Sequence, residues 1–129
     1  MKGYKVEIIG GSREFSKLER ISFKDTSDVV SIVDACGDDK LEITVVDFVL
    51  LHIVNPHSKK ETEYDKFVLI TDTGDRFVTG SESFIDTFTD IWFDMQDEPD
   101  IVCPVTIQCY IKESRNNPQG FLTCRLVVN

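Results

Sequence analysis

The chain has no long hydrophobic run, since none of its apolar stretches approaches the ~18 residues that a membrane-spanning helix requires. Met1–Lys5 leads into Val6–Ile9, and this segment is too short to form the apolar core of a secretory signal. We therefore expect a protein that stays in the cytoplasm in which it is made.

Signals of enzymatic chemistry are also scarce. The two histidines, His52 and His57, lie on either side of Pro56, and the sequence offers them no evident third metal ligand. Neither a phosphate-binding G-x-x-x-x-G-K-S/T motif nor a dinucleotide-binding G-x-G-x-x-G motif occurs. Gly80-Ser81-Glu82-Ser83 lacks the second glycine of a nucleophile elbow. We predict no catalytic activity, no metal site and no cofactor.

The cysteines do not show the C-x-x-C spacing of metal and redox sites. Because thiols stay reduced in the cytosol, these residues are predicted to be small, buried hydrophobic side chains. They are Cys36, Cys103, Cys109 and Cys124.

The sequence contains fewer basic than acidic residues. There are 14 Lys and Arg residues against 23 Asp and Glu residues, which gives a net charge of −9. Proteins that bind nucleic acid through their overall charge show the opposite balance. The composition therefore argues against binding through bulk positive charge, and it leaves open a local basic groove on an acidic body.

The remaining composition is that of a globular protein, with 41% hydrophobic and 29% charged residues among 129. We predict one domain over residues 1–129, consisting of an N-terminal extension (1–40) and a barrel core (41–128).

The extension is predicted to contain short elements. Residues 5–8 and 18–23 are predicted strands, because their apolar residues alternate. Residues 29–36 are a predicted helix that ends at Gly37, a residue typical of helix C-terminal caps.

A hairpin followed by a helix organises the barrel core. Strands 64–71 and 76–79 flank a turn in which Gly74 supplies the positive φ of a tight loop. Ser81 or Ser83 is the predicted N-cap of the helix. The helix carries one apolar stripe, which we expect to fill the bottom of the barrel. Its members are Phe84, Ile85, Phe88, Ile91, Trp92 and Met95.

Three further strands complete the predicted barrel, over residues 41–54, 105–112 and 121–128. The first is apolar on both faces, which is typical of a central strand that bends to serve two parts of a barrel. The resulting order of three strands, a helix and two strands is that of a mainly β, five-stranded OB-like barrel with its helix between strands three and four. Other small β-barrels and α+β folds can give the same order.

The hairpin also predicts a binding face. If Thr73-Gly74 forms a two-residue loop, Ile70 pairs with Phe77, and side-chain alternation places Tyr64, Lys66 and Phe77 on one face of the sheet. In an OB fold the ligand lies across this face, between the first and fourth inter-strand loops.

Aromatic and basic side chains that are scattered in the sequence would converge on this groove. Aromatic rings stack on the bases of single strands, and cations follow the phosphates. The predicted stacking residues are Tyr64, Phe77 and Tyr110. The predicted phosphate contacts are Lys59, Lys60, Lys66, Arg76, Lys112 and Arg115. This combination favours binding of single-stranded DNA without sequence preference.

A family resemblance points the same way. It is carried by Val68-Leu69-Ile70-Thr71-Asp72-Thr73-Gly74, by Phe77-Val78-Thr79-Gly80-Ser81-Glu82-Ser83-Phe84 and by Gly120-Phe121-Leu122-Thr123-Cys124. With these residues, the segment from about Leu41 to Leu126 resembles the small single-stranded DNA-binding proteins of tailed bacteriophages and related mobile elements. The resemblance implies an OB-type core that coats single-stranded DNA during replication in the host cytoplasm, without a cofactor.

Other functions stay open from the sequence. One is an acidic, OB-like adaptor that binds a replication or structural protein and no nucleic acid. Another is an enzyme that uses carboxylates with Mg²⁺, which the scattered positions of the acidic residues disfavour. The expected partners are single-stranded DNA and replication proteins, and the expected state is a monomer or a homodimer that pairs along a strand edge near Lys5–Ile9.

Overall fold

In a computed structural model of the chain, residues 5–25, 28–37, 39–54, 63–96, 103–114 and 117–128 are described. They form seven strands and three helices. In chain order these are β1 (Lys5–Gly11), α1 (Lys17–Lys24), β2 (Val30–Ser31), α2 (Ile32–Cys36), β3 (Leu41–Val54), β4 (Glu63–Thr71), β5 (Arg76–Thr79), α3 (Glu82–Met95), β6 (Val105–Ser114) and β7 (Asn117–Leu126).

The strands belong to one curled sheet with the order β2-β5-β4-β3-β6-β7, and β1 adds to β3 off this path. No ladder joins β2 or β5 to β7 among the described residues, so the sheet is a half-barrel. The prediction of a mainly β fold is confirmed. The N-terminal elements β1 and β2 are both hydrogen-bonded strands of this sheet.

The long strand β3 serves two parts of the sheet. Along one edge, its first residues pair with β6 (Leu41–Val45) and its last residues pair with β1 (Val49–Val54). Along the other edge it pairs with β4, and the register shifts between Val45 and Asp47. Such a bulge bends the strand locally, which lets one strand contribute to both halves of the curled sheet.

The inner face of the sheet packs on α3. Ser81 caps this helix by accepting a hydrogen bond from the Phe84 amide, as predicted. The apolar stripe is buried as its helical spacing predicted, with Phe84, Phe88 and Trp92 at most 1% exposed and the other three members partly buried. From β3 and β4, Phe48 and Phe67 pack against this stripe in edge-on ring contacts.

The outer face carries a second apolar cluster, which lies beneath α1. Val49 of β3, Val68 of β4 and Val78 of β5 are buried there together with Phe23 of α1. The N-terminal segment therefore covers the outer face of β4 and β5.

The prediction of a strand over residues 18–23 is wrong, because this segment is α1. Ser16 and Glu19 form a capping box in which each side chain accepts from the other residue's backbone amide. The Ser-x-x-Glu signal was present in the sequence and outweighs the weak alternation of apolar residues.

The helix predicted over residues 29–36 is shorter than expected. Val30 and Ser31 form β2, parallel to β5, and only Ile32–Cys36 is helical. β-branched residues favour strands, which accounts for the extended first part. Gly37 ends the helix with a φ of 55°, as predicted for a C-terminal cap.

The predicted register of the β4–β5 hairpin is wrong by one residue. Ile70 pairs with Arg76 rather than with Phe77, and Leu69 pairs with Phe77. The loop is wider than two residues because side chains hold its backbone: Thr71 Oγ1 accepts from the Asp75 amide at 3.2 Å. Gly74 has the expected positive φ of 88°.

Among the described residues, no helix is both long enough and apolar enough to cross a membrane.

Candidate nucleic-acid interface

One exposed face of the molecule combines aromatic rings with cations. In the β6–β7 ladder, Gln108 lies opposite Arg125, Tyr110 opposite Thr123, and Lys112 opposite Phe121. Opposite residues of an antiparallel pair point to the same side, and every second residue along a strand does so too. These six side chains therefore share one face, which we call the β6–β7 face.

The other side of the same ladder is core. Ile107, Cys109, Leu122 and Cys124 are buried in the inner cluster. Their burial fixes the register, since a slip of one residue would place buried side chains in water. The outward direction of Tyr110 and Lys112 is thus a consequence of the core packing on the reverse side.

Tyr110 is the centre of the β6–β7 face. Two cations approach its ring, with Lys40 Nζ at 5.9 Å and Arg125 Cζ at 5.7 Å from the centroid. The Arg125 Nε donates to Gln108 Oε1 at 2.8 Å, which holds the guanidinium beside the ring. The ring is half-buried, while Lys40, Lys112 and Arg125 are exposed. An aromatic platform flanked by cations can stack a base and contact the adjoining phosphates.

The local charge on this face differs from the charge of the whole protein. Segments 108–112 and 121–125 contain Lys112 and Arg125 and no acidic residue. Glu42 lies opposite Gln108 on β3, and Glu113 follows Lys112 in β6, so Lys40, Lys112 and Arg125 have carboxylates nearby. The six side chains of the face itself carry only positive charge, in a protein with a net charge of −9.

Tyr64 and Lys66 lie elsewhere, near the start of β4. Lys66 Nζ lies 5.7 Å from the centre of the Tyr64 ring. Both residues line a groove of about 820 Å³ between the sheet and the start of α3. The groove is also lined by four acidic residues, and we call it the acidic groove. These are Glu63, Asp65, Glu82 and Asp86. Four carboxylates around one lysine disfavour phosphate binding, in contrast to the basic groove expected from the sequence.

Phe77 does not join Tyr64. Since Phe77 pairs with Leu69, it lies on the inner face, where it packs against the core cluster. Tyr64, Lys66 and Val68 are alternate residues of β4 and point to the same side. Val68 belongs to the outer cluster, so Tyr64 lies on the outer face. The prediction that Tyr64 and Phe77 share one face is wrong, because the loop is wider than two residues.

Arg76 is engaged within the protein. Its guanidinium donates to the Ser22 carbonyl oxygen at 2.9 Å and to Ser22 Oγ at 2.6 Å. It also lies 5.2 Å from the centre of the Phe23 ring. Arg76 therefore links β5 to α1. Of the other predicted phosphate contacts, Lys59, Lys60 and Arg115 lie outside the described residues.

The structure adds three residues that the sequence reasoning did not select: Lys40, Phe121 and Arg125. The alternation of residues 121, 123 and 125 against 108, 110 and 112 was a usable signal for two of them. It required knowing which residue of β7 lies opposite Tyr110. Lys40 precedes β3, and its position beside Tyr110 follows from the β3–β6 pairing, which a local pattern does not show.

His52 lies in a row of titratable groups across three strands. Its Nδ1 is 2.7 Å from Asp65 Oδ1, its Nε2 is 3.6 Å from Glu63 Oε1, and Glu7 lies opposite on β1. The hydrogen bond with Asp65 raises the pKa of His52 above its usual value. Within the described part of the chain, no group of three or more Cys, His, Asp or Glu side chains has a geometry that could hold a metal ion.

No protein-family model matches this chain, and neither a curated protein nor a solved structure is significantly similar to it.

Proposed function

We propose that this protein binds single-stranded DNA without sequence preference and acts in the replication or recombination of a phage or mobile element. In this proposal β3 to β7 are the five strands of an OB-type barrel, with α3 between the third and the fourth. The observation that carries the proposal is Tyr110, whose ring lies between Lys40 and Arg125 on a face that also presents Lys112 and Phe121.

The chemistry of this face suits an unpaired strand. Base faces are accessible to a ring only where the strand is unstacked, and each stacked base contributes about 1–3 kcal/mol. Tyr110 and Phe121 would supply the stacking surfaces. Lys40, Lys112 and Arg125 would contact phosphates, and Arg115 follows Lys112 by three residues in the sequence.

Sequence independence follows from the side chains on the face. Gln108 could read a base edge, but its Oε1 already accepts from Arg125. The remaining members offer rings and cations, which interact similarly with every base and phosphate. We therefore expect affinity to depend on strand length and salt rather than on base order.

Fluorescence anisotropy with a labelled oligo-dT strand tests the proposal. We expect binding at low salt, with an affinity that falls steeply as salt is added because counterions are released from the phosphates. Tyr110→Ala should weaken binding about 5- to 150-fold, the equivalent of ~1–3 kcal/mol. Lys112→Glu should reduce both the affinity and the salt dependence.

Matched controls lie on other surfaces. Phe93→Ala removes an exposed aromatic ring of α3, and Lys24→Glu reverses an exposed cation of α1. Both variants should bind like the wild type, and double-stranded DNA should compete poorly. Absence of binding at low salt would refute the proposal, as would equal losses for Tyr110→Ala and Phe93→Ala.

The acidic groove favours one other function, that of a protein-interaction adaptor without nucleic-acid binding. Its carboxylates attract a basic partner, and its lining includes the apolar side chains of Val78 and Ile85. This function predicts that Asp86→Lys abolishes capture of a specific partner and that oligo-dT never binds. The same anisotropy titration therefore separates the two functions.

A further inference from the structure

Helix α1 presents apolar side chains to solvent. Leu18 is 79% exposed and Ile21 is 59% exposed. They are three residues apart, which places them on neighbouring positions of one helix side. The same helix buries Phe23 against the sheet, so the exposed pair is not the side that stabilises the fold.

Cations surround this apolar pair. Lys17, Arg20 and Lys24 are exposed, and they are the only basic residues of α1. The single acidic residue of the helix, Glu19, is bound by Arg13 at 2.6 Å. We call the exposed surface formed by Leu18, Ile21 and these three cations the α1 face. It is both apolar and basic, a combination that fits an acidic surface with apolar side chains.

The α1 face is held in a fixed orientation. Arg13 bridges Glu19 of the helix and Asp47 of β3, with its Nε 3.0 Å from Asp47 Oδ1. At the other end of the helix, Ser22 accepts from Arg76. A surface that is already ordered loses little conformational entropy when it binds. The helix is therefore prepared for docking without rearrangement.

The acidic groove is a surface complementary to the α1 face. Its rim carries four carboxylates, and its lining includes Leu50, Val78 and Ile85. The apolar pair of the α1 face matches the apolar part of the groove, and the three cations match the rim. We propose that the α1 face docks into the acidic groove of a second copy of this chain.

The contact has to form between copies. Within one chain, α1 is attached to Arg76, which lies opposite Ile70 of β4. The groove lies at the other end of β4, around Asp65. Five residues of a strand separate these positions, about 17 Å at 3.4 Å per residue. Leu18 and Ile21 are exposed, so they do not occupy the groove of their own chain.

This contact joins two different surfaces. Reciprocal docking closes two copies into a two-fold dimer, and otherwise each copy retains one free surface after pairing. In the second case the head-to-tail contacts extend into chains or close into rings. The inference is independent of DNA binding, because neither surface includes the β6–β7 face.

Sedimentation velocity of the full chain without DNA tests the proposal. The wild type should form dimers or larger species as its concentration rises, and added salt should weaken them. The α1 variant Leu18→Glu/Ile21→Glu and the groove variant Glu82→Lys/Asp86→Lys should each stay monomeric. All four positions are exposed, and circular dichroism checks that both variants are folded.

Mixing the two variants provides the sharpest test. Each variant retains the surface that the other lacks, so an equimolar mixture should form a dimer and nothing larger. A wild type that stays monomeric at every concentration would overturn the proposal. So would a mixture that stays monomeric while the wild type associates, or an α1 variant that loses only DNA affinity.

Discussion

The Arg76 guanidinium on β5 donates hydrogen bonds to both the carbonyl oxygen and the hydroxyl of Ser22 on α1, at 2.9 and 2.6 Å. This contact closes the N-terminal segment over the outer face of β4 and β5, where Val68 and Val78 are buried. The face on which an OB ligand was expected is thus covered by the protein itself. The β6–β7 face, on which we propose that DNA binds, is not covered by this segment.

Arg76→Ala should destabilise the protein by about 1–2 kcal/mol, because Ser22 loses two charge-assisted hydrogen bonds and Phe23 loses a cation neighbour. DNA affinity should not change, since Arg76 is not on the β6–β7 face. Urea denaturation, followed through the fluorescence of the buried Trp92, measures the loss. Arg20→Ala removes an exposed arginine from α1 and should leave the midpoint unchanged. If the folded Arg76→Ala variant bound DNA more weakly than the wild type, Arg76 would belong to the binding site.

The Phe77→Ala variant tests whether Phe77 packs in the inner core or stacks on the bases of DNA. Phe77 is half-buried against the inner core, so we expect a loss of about 2–3 kcal/mol, somewhat less than for a fully buried ring. The folded fraction should bind oligo-dT normally. Phe93→Ala, on a side chain that is 63% exposed and makes one edge-on ring contact with Phe48, should cost less, about 0.5–1 kcal/mol. A stable Phe77→Ala variant with poor DNA binding would contradict the inward orientation.

The sequence predicted those elements whose apolar periodicity is long and strong. Helix α3 and strand β3 are both 14 residues long, and their patterns extend over several repeats. Burying such a pattern contributes a large part of the folding free energy, and local signals such as caps and turns rarely outweigh it. Helix α1 has only 8 residues, and there the cap at Ser16 decides the structure instead of the apolar pattern.

The site was harder to predict because it depends on single-residue register. One extra residue in the β4–β5 turn moved Phe77 to the inner face, and the cause is a side-chain hydrogen bond of Thr71 to the loop. The pairing of Lys112 with Phe121 depends in turn on the β6–β7 register, and the ladder is irregular near their connection. The apolar periodicity of a single strand cannot determine which of its residues pair with which residues of the neighbouring strand.

The cysteines should differ in reactivity. Burial raises the pKa of Cys124 to about 12 and also raises the pKa values of Cys36 and Cys109. Cys103 is only half-buried. A chromogenic disulfide reagent at neutral pH should therefore label one thiol in the native protein and four in denaturant.

Cys103→Ser is the matched control for this experiment, and it should abolish the rapid native signal. Rapid labelling of a second thiol in the wild type would mean that the inner face between α2, β6 and β7 opens readily. That result would contradict the burial of Cys109 and Cys124, which fixes the register behind the β6–β7 face.

His52 should make stability depend on pH near neutrality. Its hydrogen bond with Asp65 raises its pKa in the folded protein above the usual 6.5, and Glu63 acts in the same direction. Below pH 6.5 the imidazole is protonated in both states, so the stabilisation is fully present. It is lost as the pH rises through the higher pKa of the folded protein, because the ring then becomes neutral in the folded state as well. The unfolding temperature should therefore fall across this range.

His52→Gln tests the assignment, because the amide can still hydrogen-bond to Asp65 but does not titrate. Its unfolding temperature should be nearly flat over the range in which that of the wild type falls. Asp65→Asn should return the His52 pKa toward 6.5, which an NMR titration of the imidazole would show directly. Glu7 keeps its charge throughout, because Lys5 lowers its pKa below the usual carboxyl range. A His52→Gln curve that falls as steeply as that of the wild type would assign the pH dependence to another group.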